Sequence, residues 1–305
     1  MKKSEAKKRG CRYVLNLLLA ALGGLLLVGC VVAYGVLPVS HARRIARPDR
    51  WPLYIGPGEF GILHEDVSFP TADGLTLHGW YLPSHNGAAV IAAHPVGVNR
   101  TSLLPQAAAL AEAGYGVLLL DLRAHGASDG ETTSFDGADV EAAAAYLAGR
   151  ADVDPERIGA LGLSLGACVA IEAAARTPQI KAVVADGAAP VTFRDVPTPH
   201  SLAHWLDLPF QWVSFQVWER EGTAADVPLI EAIASIEPRP ILLISGVRSG
   251  YENVFAHELL AAAPSAALWE IPETGHIGGW SVREDEYRAR MITFFDQALL
   301  ADNLE

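Results

Sequence analysis

Apolar residues fall along this chain in three successive patterns. From 13 to 37 the run is almost wholly apolar and uncharged, with Leu17-Leu18-Leu19 and Leu25-Leu26-Leu27-Val28 inside it. That length suffices to cross a bilayer as a helix. Residues 38–60 carry Pro38, Pro48, Pro52 and Pro57 and read as a linker. Beyond them, short apolar runs alternate with stretches of helical spacing. Residues 65–69 and 75–82 predict two strands joined by Thr71-Ala72-Asp73-Gly74, whose Asp-Gly is a hairpin signal. Further strands are expected at 88–93, 116–120, 157–161, 180–185, 240–245 and 267–271. Helices are expected at 103–113, 135–147, 167–176, 254–263 and 284–300. This alternation implies an α/β fold with a doubly wound, mostly parallel sheet. Ligands in such sheets bind beyond the carboxyl ends of the strands.

Between 187 and 238 the alternation breaks for longer than a plain connection needs. The stretch carries Phe193, Trp205, Phe210, Trp212, Phe215 and Trp218. It predicts a small helical cap at about 188–238, whose aromatics form the core of the insert, line an apolar substrate pocket or touch the bilayer. Trp205, Phe210 and Trp212 are the expected pocket residues.

Charge sharpens the reading of the first segment. The tail 1–12 carries Lys2, Lys3, Lys7, Lys8, Arg9 and Arg12 against Glu5 alone, although the chain as a whole is −12. A basic flank before an apolar span favours a cytoplasmic N-terminus, hence a single-pass protein of the cell membrane with its body outside the cytoplasm. Arg43, Arg44, Arg47 and Arg50, after the span, oppose that orientation. Leu27-Val28-Gly29-Cys30 also resembles a bacterial lipobox, but the apolar run continues past it. An uncleaved anchor is therefore expected ahead of a lipoprotein or a cleaved signal. The acidic body excludes nucleic acid as a natural partner. The three cysteines, Cys11, Cys30 and Cys168, form no disulfide framework and no metal-ligand spacing. No metal and no organic cofactor is implied.

Candidate chemistry centres on Gly162-Leu163-Ser164-Leu165-Gly166, which reads G-x-S-x-G between an expected strand and an alanine-rich helix. A serine on so sharp a turn needs small neighbours, and the turn lifts its hydroxyl out of the sheet. A serine nucleophile also needs a base, an orienter for the base and donors for the oxyanion. Of ten histidines, His276 lies in Thr274-Gly275-His276-Ile277-Gly278-Gly279, a flexible loop between the last strand and the terminal helix. His94, His125, His200, His204 and His257 read as turn, loop or surface residues. His94 opens His94-Pro95-Val96-Gly97 after the third strand, and Asp121-Leu122-Arg123-Ala124-His125-Gly126-Ala127-Ser128 follows the fourth.

Together these pieces resemble the α/β-hydrolase superfamily over about residues 62–300, so the body 61–305 is expected to be one α/β-hydrolase domain. Finer features resemble the serine-aminopeptidase-like and dienelactone-hydrolase-like esterase groups. The resemblance implies a nucleophile at Ser164, a base at His276 and oxyanion donors at the backbone N–H groups of Leu165 and Val96, since Pro95 has none. It leaves Asp121 and Arg123 structural. The sequence departs from the family at the acid, where Ser249 stands at the usual aspartate position. Glu252 is the nearest carboxylate and reaches His276 if its loop bulges; Asp186 is the alternative, and the absence of any acid is the third possibility. The expected activity is hydrolysis of a small-molecule carboxylic ester with an apolar moiety, through an acyl-enzyme. A peptidase or thioesterase would use the same residues, and a non-catalytic membrane-anchored binding protein is the alternative from another class.

Overall fold

The computed structural model describes residues 2–199 and 201–301, the first ten of them as backbone only. His200 lies outside the described residues. Helix α1 (Lys2–Val31) takes in the basic tail and most of the apolar run, passes through a π-helical segment (Val32–Val36), and continues as α2 (Leu37–Ala46). The dihedrals stay right-handed helical at both junctions, Val31 and Leu37. Among the described residues this is the one helix long and apolar enough to span a membrane. Residues 38–46 of the segment expected as a linker are therefore helix. Pro38 follows directly on the π-helical segment, whose longer-range hydrogen bonds shift the backbone register just ahead of it, and the helix continues through it.

The body is a sheet of eight strands: β1 (Glu65–Pro70), β2 (Thr76–Leu82), β3 (Ala89–Ala93), β4 (Gly116–Leu120), β5 (Ile158–Leu163), β6 (Ile180–Asp186), β7 (Ile241–Gly246) and β8 (Ala267–Ile271). Their spatial order is β1-β2-β4-β3-β5-β6-β7-β8, with β1 and β2 antiparallel and the rest parallel. Between them run α3 (Leu104–Glu112), α4 (Ala138–Ala148), α5 (Leu165–Arg176), α6 (Leu202–Glu221), α7 (Leu229–Ile236), α8 (Gly250–Ala262), the short α9 (Gly279–Val282) and α10 (Glu284–Leu299). Strand β3 shows why both faces are covered. Its Ala89, Ile91 and Ala93 join a core with α4, α5, α7 and α8, whereas Val90 and Ala92 join a second core with α3 and α10. Alternate side chains of a parallel strand point to opposite faces, and burying both requires a helical layer on each side.

The insert is smaller than its sequence suggests. Leu229, Ile233 and Ile236 of α7 are fully buried in the α5 core, so α7 is a crossover helix of the sheet and not part of a cap. What remains is essentially α6. It packs along α2, with Ser214 Oγ donating to the Pro38 carbonyl at 3.5 Å and Trp218 Nε1 to the Ala42 carbonyl at 3.0 Å. Arg47 Nε donates to Glu221 at 2.9 Å. Pairing 38 with 214 and 42 with 218 makes the two helices parallel. Composition alone does not reveal that pairing, because α2 lies within what reads as a proline-rich linker.

Candidate active site

The turn from β5 into α5 sets the site. Ser164 sits at φ 55°, ψ −114°, a conformation unfavourable for a residue with a Cβ. The turn closes because its neighbours are glycines. A Cβ on Gly162 would lie 2.1 Å from the Gly166 carbonyl oxygen, and one on Gly166 would lie 1.9 Å from that of Ala93. The Ser164 N–H donates to the Asp186 carbonyl at 2.8 Å, which ties the turn to the end of β6. Leu165 is the first residue of α5, and the leading N–H groups of a helix have no intrahelical acceptor.

Two carboxylate-side loops meet next to it. A Cβ on Gly246 would lie 2.1 Å from the Gly275 oxygen, so the end of β7 and the histidine loop are in backbone contact. The Arg248 N–H donates to the Thr274 carbonyl at 3.0 Å. His276 Nε2 then stands 2.8 Å from Ser164 Oγ, and its Nδ1 stands 2.5 Å from Glu252 Oε2. The other Glu252 oxygen accepts from the Gly246 N–H at 3.0 Å and from Ser245 Oγ at 3.4 Å. Glu252 is buried, and all its acceptor bonds come from β7 and His276. Its reach does not depend on a bulge. Helix α8 begins at Gly250, earlier than the spacing suggested, with Ser249 at its N-cap position. Glu252 lies in the first turn, one helical turn past the position of the expected aspartate, and its longer side chain spans the difference. The bond to Glu252 raises the His276 pKa above its ordinary 6.5, against the lowering effect of burial.

Asp186 is placed differently. Its buried carboxylate accepts from the Tyr287 hydroxyl at 3.0 Å, and no hydrogen bond joins it to His276. Burial pushes its pKa up to about 7, with the Glu252 charge adding and the Tyr287 bond opposing. Its carboxylate is bonded to the terminal helix, and the one bonded to the imidazole is that of Glu252. A raised carboxyl pKa has a defined sign: stability is complete below the unfolded value near 3.8 and is lost as pH rises towards 7. The Asp186→Asn variant is expected to gain on the parent by up to about 1.4 kcal/mol per pH unit in that window and by nothing more above it. Thermal midpoints at about pH 5 and about pH 8 check this; an equal offset at both would contradict it.

The turn after β3 is braced by the two histidines that sequence reasoning left as turn residues. His94 Nε2 accepts from the Leu122 N–H, and His125 Nε2 accepts from the Gly97 N–H, both at 3.1 Å. Both must be neutral to accept. Burial lowers the pKa of each, His125 to about 3. Gly97 N–H is thus occupied and Pro95 has none, which leaves the Val96 N–H as the uncommitted donor of this turn. Asp121 is fully buried and holds Arg100 at 3.0 Å and the Ala127 N–H at 2.8 Å. It fixes the neighbouring loop without reaching the serine's hydrogen-bond chain. Cys168, one turn beyond Ser164, is buried, and its Sγ exchanges 3.3 Å bonds with the N–H and carbonyl of Ala189.

The aromatic expectations divide. Phe210 lines a cavity of about 250 Å³ together with His41 and Ile45 of α2, Phe215 and Trp218 of α6, and Tyr251. Trp205 and Trp212 do not. They are 59% and 51% exposed on the outer side of α6, because α6 turns its inner face to α2. Phe215 and Trp218 are the pocket aromatics that replace them, and their spacing from Phe210 along one helix face was the available signal. Among the described residues no cluster of side chains could hold a metal ion.

A family model described as the alpha/beta hydrolase fold matches residues 77–236. The chain is 33% identical over 220 residues to Rv2307c of Mycobacterium tuberculosis, covering 69% of this chain and 72% of that protein. It is 30% identical over 277 residues to YfhR of Escherichia coli, covering 85% and 86%. Among solved structures it resembles the Pyrococcus furiosus esterase Pf2001, with a TM-score of 0.66 and 25% identity over 84% of this chain and 98% of that one.

Proposed function

The chain belongs to the α/β-hydrolase family, and from that premise we propose that it is a membrane-tethered serine hydrolase that cleaves a carboxylic ester through an acyl-enzyme. The observation that carries this reading is the single histidine bonded on one side to Ser164 Oγ and on the other to a buried carboxylate. Ser164 Oγ attacks the ester carbonyl carbon while its proton passes to His276 Nε2. Glu252 holds the Nδ1–H tautomer and stabilises the imidazolium that forms. The N–H groups of Val96 and Leu165 stabilise the oxyanion, the latter aided by the positive end of the α5 dipole. Collapse breaks the ester C–O bond, and the departing alkoxide takes the proton from Nε2. Water repeats the sequence on the acyl-serine, releasing the acid and returning the proton to Ser164.

Esterase activity of the Pyrococcus furiosus neighbour supports the ester over the amide. The bond of Glu252 to His276 Nδ1 supplies the acid that Ser249 does not, and supports an enzyme over a non-catalytic binding protein. The α1 span supports a cell-membrane location, and the basic tail ahead of it, set against the four arginines that follow, a body outside the cytoplasm. Full-length protein in detergent is expected to be labelled by a fluorophosphonate probe and to hydrolyse p-nitrophenyl butyrate. Absence of both, beside an active control esterase, would overturn the reading.

A further inference from the structure

The outer side of α6 is apolar in a pattern its fold does not use. Leu202, Trp205, Leu206 and Trp212 are all more than half exposed, and their spacing puts them on one helical stripe. Such a stripe on a water-soluble surface would be an aggregation liability. Its position gives it an occupant. The parallel register of α6 with α2, and the contact of α6 with the π segment, set the N-terminal half of α6 beside the last turns of the apolar run. In residues 202–218 the only ionisable side chains besides His204 are Asp207 and none other, whereas Arg43 and Arg44 stand exposed in the last turn of α2, farther along the same axis. Apolar residues with tryptophans, then arginines, follow the order of hydrocarbon boundary and headgroups.

We propose that the N-terminal half of α6 lies in the lipid leaflet beside the span and that the cavity between α2 and α6 receives the acyl chain of a membrane-resident ester. This rests on the hydrolase reading above and adds the substrate's source. The cavity's walls connect the two ends of that path. His41 and Ile45 belong to the continuation of the membrane helix. Tyr251 adjoins Glu252, and Ala189 is bonded to Cys168 one turn beyond Ser164. Its volume of about 250 Å³ is below the roughly 300–1,000 Å³ of sites that enclose whole drug-sized ligands. A single-chain amphiphile fits this shape better than a two-chain lipid, with its ester at Ser164 and its polar group towards the strand ends.

The test uses full-length protein in vesicles. Phosphatidylcholine brominated on its acyl chains is expected to quench tryptophan emission, and Trp205→Phe/Trp212→Phe is expected to lose at least half of that quenching. Unchanged quenching would overturn the leaflet contact. The ratio of monodecanoin turnover in vesicles to p-nitrophenyl butyrate turnover in solution is expected to fall at least tenfold in Leu202→Ser/Leu206→Ser. An unchanged ratio with Ser164 still labelled by fluorophosphonate overturns the substrate source alone. Loss of labelling and of both turnovers in the parent defeats the hydrolase reading instead, while the quenching still reports on α6. Conversion of a detergent-solubilised dimer to monomer by the same serine pair would make the stripe a contact between copies and overturn the proposal.

Discussion

Replacing Ser164 by alanine is expected to lower ester turnover by about 10⁵–10⁶-fold, leaving only what the oxyanion donors and substrate positioning supply. Fluorophosphonate labelling should vanish with it. The substitution isolates chemistry from folding for a structural reason. The hydroxyl's hydrogen bond is to His276, whereas the turn is held by backbone: Ser164 N–H to Asp186, and its carbonyl to the N–H groups of Ala167 and Cys168. Alanine inherits the same backbone strain as serine, so the thermal midpoint should move little. A variant that keeps turnover within tenfold of the parent would show that another group attacks the ester.

The second large effect is expected at Glu252. Glutamine there keeps the size and the bond from the Gly246 N–H, but it presents an N–H towards His276 Nδ1. That favours the imidazole tautomer carrying its proton on Nε2, which cannot accept from Ser164. A loss of about 10⁴-fold follows by the chemistry of the orienting acid. The pH dependence adds a readout that a merely structural role would not move. His276 acts as base only when neutral, so kcat/KM falls as pH drops through its pKa, which Glu252 raises above 6.5. Without the carboxylate the imidazolium is less favoured, and the acid limb of the residual activity should shift to lower pH. An unaltered limb and a rate within tenfold of the parent would remove Glu252 from the mechanism. Asp186→Asn is the control for rate, since it removes a nearby carboxylate that makes no bond to the imidazole; its charge also raises the His276 pKa, so the acid limb should move down slightly while the rate is kept.

Much of this was legible in the sequence. The strand at 116–120 coincides with β4, because a continuous apolar run bounded by turn residues has little else to become in a two-faced sheet, and the strand at 267–271 coincides with the edge strand β8, whose Ala267 and Glu270 are exposed. Ser164 and His276 were legible from local context, as each sits in a turn whose glycines permit close approach. Glu252 was legible only as the nearest carboxylate. Whether it reached the histidine depended on where α8 starts; Ser249-Gly250-Tyr251-Glu252 has the S-x-x-E spacing of a capping box, but Glu252 turns to Gly246 and His276 and no side-chain cap bond forms at Ser249. Which aromatics of the cap face inward was not legible, for a different reason. A pattern of aromatics along α6 says that two faces are apolar but not which one meets protein. That was decided by α2, whose role as a packing partner was hidden by its prolines and arginines. Ala42 and Ala46 are the clearest sign of it, since small buried residues one turn apart let the helices approach closely.

The unbroken passage from α1 through the π segment into α2 has a mechanical consequence. A flexible tether would let the body drift and turn above the bilayer, but a helix clamped along its flank by α6 transmits orientation. Hydrophobic mismatch is relieved in part by tilting a span. On the membrane-tethered reading proposed above, bilayer thickness would then set how the body and its Ser164 turn are inclined to the surface, and the span would be a lever as well as an anchor.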